Sequence, residues 1–165
     1  MENVENAYHV GMADLVVASA PAKLITLGLG SCIGLVIFDT TAKIAGMAHV
    51  MLPDSRGTKT VEKVGKFANT AVPAVIDEMI RKGASKARMK AKIAGGAQMF
   101  ALQDASTDFL AVGSRNVKEI TTLLTKAGIP LVASDTGGNK GRTVEFSTAT
   151  WMLAIKTLGK GKTEI

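Results

Sequence analysis

Cys32 is the single cysteine of the 165-residue chain, and it lies within TLGLGSCIGLVIFD, residues 26–39, with two glycines before it and one after it. Glycine permits tight or left-handed turns and lets a substrate or another backbone come close. A thiol on such a bend has backbone N–H groups beside it, able to hold an oxyanion while the sulfur attacks a carbonyl carbon. The competing reading is a small buried hydrophobe, since free cysteines are usually buried and inert. A base separates the two readings. His49, in GMAHVMLPDS, stands seventeen residues downstream. An imidazole within hydrogen-bond reach of a thiol lowers its pKa and can pass the proton to a departing amine. From spacing alone His49 could equally be a half-buried histidine on an apolar strand.

The elements around these residues decide whether they meet. CIGLVIFD and KIAGMAHVML are apolar runs separated by TTAK. If they form a hairpin, the start of the first lies beside the end of the second, which brings Cys32 close to His49. A dyad of this kind needs a third group to orient the imidazole. Thr26, six residues before the cysteine, and Asp54, five after the histidine, both qualify. His9, the only other histidine, has no comparable partner. GLGSCIG places its third glycine one residue too late for a dinucleotide loop and runs into a strand-like LVIF instead of a helix, so no cofactor is expected. One cysteine and two separated histidines lack the spacing of a metal site.

Stepping outward, four short strands are expected in the first half, in AYHVGMADLVVA, AKLITLGL, CIGLVIFD and KIAGMAHVML. After the loop SRGTK, Val61, Val64, Ala68, Ala71, Val75 and Met79 step by three and four toward Gly83, an amphipathic helix interrupted by Pro73. Lys86, Arg88, Lys90 and Lys92 alternate with Ala87, Met89, Ala91 and Ile93, the pattern of a strand with one wet face. Ser114 can cap a second helix, with Val117, Ile120, Leu123, Leu124 and Ala127 inward and Gly128 at its end. IPLVAS, RTVEFSTA and WMLAIKTL read as three closing strands, DTGGNKG as a glycine-rich turn, and GKGKTEI as a frayed tail. About eight strands and two helices in irregular order predict an α+β fold in one domain, residues 1–165, with two packed β-sheets forming a sandwich and helices outside.

Composition narrows the function. The chain is 47% hydrophobic with a mean hydropathy of +0.22, ordinary for a globular domain that needs no staple for its core. No apolar run approaches the ~20 residues of a membrane span, so no membrane insertion is expected. A lone cysteine and no apolar leader point to a reducing, cytoplasmic setting. Residues 1–55 carry two bases and five acids, a net −3, whereas the remainder carries +9, with six bases between Arg81 and Lys92. Aromatics are only 4%, and none is interleaved with those bases, so an acidic protein partner is expected in preference to nucleic acid.

At this point the chain resembles the CheD family of chemoreceptor glutamine deamidases. The resemblance runs through five ordered motifs, LGLGSCIGLVIFD, GMAHVMLPDS, KIAGGAQMF, VGSRNV and SDTGGNKGRTVEF. It implies a fold like the deamidase domain of cytotoxic necrotizing factor toxins. It also implies a nucleophile at Cys32, a base at His49 and an orienting hydroxyl at Thr26, which then takes precedence over Asp54. Ser31 and Gly30 become candidates for the oxyanion site and Gln98 for a lining residue. The implied reaction converts glutamines on chemoreceptor helices to glutamate with release of ammonia, and some relatives are linked to receptor methyl-ester hydrolysis. The implied partners are chemoreceptor cytoplasmic helices and the phosphatase CheC, which competes for the site. A non-catalytic adaptor binding receptors or CheC, and a cysteine peptidase using the same dyad, are the alternatives.

Overall fold

The computed structural model describes residues 4–98 and 111–165. Its first half holds five strands where four are expected, because a turn at residues 11–14 divides the first apolar stretch. These are β1 (Asn6–His9), β2 (Leu15–Ser19), β3 (Ala22–Leu29), β4 (Ile33–Asp39) and β5 (Ile44–Val50). The division lets β1 join one sheet and β2 the other. Helix α1 (Ala68–Arg81) starts seven residues later than Val61. The N–H groups of Met51 and Leu52 both donate to Lys66 O, and the Ala68 N–H donates to Leu52 O, so the chain before Ala68 is tied to the end of β5 and cannot coil. Val64 is consequently exposed, and Pro73 sits in the helix interior as expected.

The alternating bases give a different outcome from the one expected. Residues Lys86–Arg88 form a single 3-10 turn, and β6 (Lys90–Gly95) is buried from Ala91 onward on both faces. Lys92 therefore points inward, and its Nζ donates to Trp151 O at 2.7 Å and Ile165 O at 2.9 Å. Period-two charge marks a wet face only where the strand has one. Helix α2 (Val112–Ala127) begins two residues before Ser114, whose hydroxyl donates back to Ala111 O instead of capping, and it ends at Gly128 with φ 74° as expected. β7 (Leu131–Thr136), β8 (Arg142–Ser147) and β9 (Met152–Thr157) are the three closing strands, and the tail expected to fray adds β10 (Lys162–Glu164) against β9.

The strands form two five-stranded sheets, ordered β1-β3-β8-β9-β10 and β2-β5-β4-β6-β7. They lie face to face, with Phe38 of β4 and Phe146 of β8 meeting at a ring separation of 5.2 Å beside Trp151. The fold is thus the expected α+β sandwich, except that both helices pack on the outer face of the second sheet and neither covers the first. Strand alternation sorts the side chains: Val36, Phe38, Ala45 and Met47 enter the layer between the sheets, while Leu35, Ile37, Ile44 and Ala48 face the helices.

One buried carboxylate ties the helical side to the hairpin turn. Asp39 accepts the N–H groups of Thr41, Ala42 and Ser85 and pairs with Arg88 at 3.1 Å. Burial alone would raise its pKa, but these hydrogen bonds and the guanidinium hold it below the usual 3.8. A carboxylate shifted down stabilises the fold above its unfolded pKa, and that contribution is lost as pH falls through the folded value. Asp39→Ala should cost about 3 kcal/mol, because it leaves the N–H groups of Thr41, Ala42 and Ser85 without their acceptor. In urea titrations the variant should lose much of the wild type's acid sensitivity below pH 4.

Candidate active site

β3 and β5 belong to different sheets, and Thr26 and His49 meet in the layer between them. Both are 1% exposed. Thr26 Oγ1 lies 2.7 Å from His49 Nδ1 and 2.6 Å from the carbonyl oxygen of Val10. A hydroxyl has one proton and a carbonyl can only accept, so Thr26 donates to Val10 and the Nδ1–H donates to Thr26. This assigns the tautomer and leaves the lone pair on Nε2. Nε2 is buried with no hydrogen-bond partner among the described residues. Burial pushes the His49 pKa below 6.5, outweighing the opposing pull of the Asp14 carboxylate, so the ring is neutral at neutral pH.

Cys32 is half-buried on the bend between β3 and β4. The hairpin expected across residues 40–43 is present, and it sets Gly34 opposite His49 and Ile33 opposite Val50. Cys32 falls on the same face as Gly34, and its side chain packs against the inter-sheet cluster, the layer that holds the imidazole. No hydrogen bond joins Sγ to Nε2. Burial raises the thiol above 9.0, so thiol and imidazole rest as a neutral pair.

The bend is held by its carbonyls. Gly30 O accepts the Ala97 N–H and Cys32 O accepts the Gly96 N–H, each at 2.9 Å. Ser31 O accepts Nδ2 of Asn116 at 3.0 Å. The N–H groups of Ser31 and Cys32 meet no acceptor among the described residues. Close approach requires Gly95, at φ 113°, because a Cβ there would run into the Cys32 carbonyl. Gly95 is thus a point of tight packing between β6 and the bend.

The remaining candidates separate. Asp54 pairs with Arg56 at 2.7 Å on the surface, and Thr26 alone reaches the imidazole. Gln98 is exposed; its N–H donates to Gly138 O, one residue beyond the contact of Ala97 with Gly30. His9 is exposed on β1. The six-base run does not act as one patch, because Lys92 is buried and Arg88 is engaged by Asp39. Two groups are missing from the sequence reading. The Val10 carbonyl is backbone and leaves no trace in residue type. Asn116 lies within VGSRNV, but nothing in its spacing marks it as reaching the bend.

A two-sheet α+β protein that brings a lone thiol's bend and a hydroxyl-anchored histidine to one inter-sheet layer is the class defined so far. No helix among its described residues is long and apolar enough to cross a membrane. The chain belongs to the CheD family: residues 51–157 match the family described as CheD chemotactic sensory transduction. The "Probable chemoreceptor glutamine deamidase CheD" of Clostridium novyi (strain NT) is 50% identical over 152 residues, covering 92% of this chain and 93% of that protein. The "Chemoreceptor glutamine deamidase CheD" of Bacillus licheniformis is 45% identical over 166 residues, covering 100% and 98%. Among solved structures, the hypothetical protein YfiH of Bacillus licheniformis superposes with a TM-score of 0.49 at 14% identity, over 84% of this chain and 62% of that one.

Proposed function

We propose that this chain is a chemoreceptor glutamine deamidase in which Cys32 is the nucleophile, His49 the acid–base and Thr26 the group that orients it. Family membership supports the substrate class, and the observation that carries the mechanism is the Thr26–His49 contact with its unpartnered Nε2. As Sγ bonds to the glutamine carboxamide carbon, Nε2 takes the thiol proton and the carbonyl oxygen becomes an oxyanion held by the N–H groups of Ser31 and Cys32. The carbonyl then reforms as the C–N bond breaks, and Nε2–H protonates the nitrogen, which leaves as ammonia. Water attacks the thioester with Nε2 taking its proton. The C–S bond breaks, the sulfur regains a proton, and a glutamate side chain is released. Each turnover adds one negative charge to a receptor helix, a change able to bias a two-state bundle.

Incubation with receptor cytoplasmic fragments tests the reading: a gain of about 1 Da per site with ammonia release supports it, cleavage fragments mean a peptidase, and binding without either means an adaptor. The same reading carries a cytoplasmic location and CheC as a second, competing partner, for which co-purification is the test. Thr26→Val keeps the shape but removes the tautomer lock, so kcat should fall about tenfold to a hundredfold with KM little changed. Thr26→Ser should restore most of the rate.

A further inference from the structure

Asn116 is fully buried in the second turn of α2, yet its amide serves no helix. Nδ2 donates to Ser31 O and to Met51 O, each at 3.0 Å. Ser31 immediately precedes Cys32, and Met51 follows His49 by two residues. Two 3.0 Å legs from one nitrogen hold the two carbonyl oxygens within 6.0 Å of each other. The cost of this arrangement is visible: Oδ1 is buried without a partner among the described residues, and an unmatched buried acceptor lowers stability. Flipping the amide would set Oδ1 against two carbonyl oxygens, so the orientation is fixed by its partners. The helix itself is seated against the segment that holds the bend. A Cβ on Gly113 would strike the carbonyls of Gly96 and Ala97, whose N–H groups hold Cys32 O and Gly30 O.

From this geometry we infer that Asn116 is a positioning residue that sets the spacing between the segment carrying Cys32 and the segment carrying His49. This rests on the reading of those two as the reacting pair. Neither leg touches Sγ or the imidazole, so Asn116 acts only through where they are held.

The test is a double-mutant cycle between Asn116→Leu, which keeps the branching, adds some bulk and removes both donors, and His49→Gln. Two rates are read: kcat on receptor fragments, and iodoacetamide alkylation of Cys32 at pH 7, which needs no receptor. Asn116→Leu should lower kcat at least tenfold with KM within twofold, and should slow alkylation as far as His49→Gln does. In the His49→Gln background it should add almost nothing, because the pairing it serves is already gone. Thermal melting checks folding. If Asn116→Leu does not fold, Asn116→Asp, of the same shape but with only acceptors toward the two carbonyls, is expected to behave as Asn116→Leu is expected to. Wild-type rates in a folded variant, or losses that multiply with those of His49→Gln, would overturn the inference. A wild-type protein that alkylates with this coupling but never releases ammonia would defeat the deamidase reading and leave Asn116's role standing.

Discussion

Cys32→Ala is expected to end ammonia release while the protein still folds and still binds its receptor fragment. The sulfur is half-buried at the rim of the inter-sheet cluster, so its removal should cost about 1 kcal/mol of stability or less. No other thiol exists in the chain to replace it. Without a covalent intermediate, catalysis falls back on whatever the bend's N–H groups and binding provide, a loss of roughly 10⁴-fold or more in kcat. Mass spectrometry of the receptor fragment after long incubation is the measurement. Undiminished conversion by a verified Cys32→Ala preparation would remove the nucleophile from the mechanism and leave Cys32 as packing.

His49→Ala is expected to lose nearly as much, about 10³-fold or more, because nucleophile and base act as a unit. It also leaves the Thr26 hydroxyl without its second partner and opens a buried space, costing about 2–3 kcal/mol. The pH profile adds an independent readout. With the His49 pKa pushed below 6.5, the neutral base is present down to a lower pH than an exposed histidine would allow. The acid limb of wild-type kcat/KM should therefore lie below pH 6.5, and the rate should hold as pH rises through neutrality. In His49→Ala that limb should vanish. A limb above pH 6.5, or one unchanged in the variant, would assign the proton transfer elsewhere.

The parts of the molecule that were legible in the sequence are those written in local pattern. The β4–β5 hairpin could be read from two apolar runs and a four-residue break, and with it the placement of Cys32 on the His49 side. The end of α2 at Gly128 was written in the same local way. What could not be read depends on contacts made far along the chain. Lys92 reads as solvated until Trp151 and Ile165 bring carbonyls to it. Val61 and Val64 continue the helical spacing of α1, but the end of β5 claims the backbone they would coil with. For the orienting group, spacing left Thr26 and Asp54 equal, and only the packing of one sheet on the other brings Thr26 across to Nδ1. Asn116 stayed hidden for the same reason, since its two acceptors are 85 and 65 residues away.

Sealing the imidazole between two sheets also selects what can finish the reaction. His49 is 1% exposed, so a nucleophile that is to give its proton to Nε2 has to reach a buried nitrogen. Water is small enough to do so. A lysine side chain or a polyamine would have to bring a bulky chain to the same buried nitrogen before it could attack the thioester. The enzyme should accordingly hydrolyse its acyl intermediate and leave amine acceptors unjoined, so adding putrescine or a lysine-rich protein to the assay should produce no cross-linked receptor.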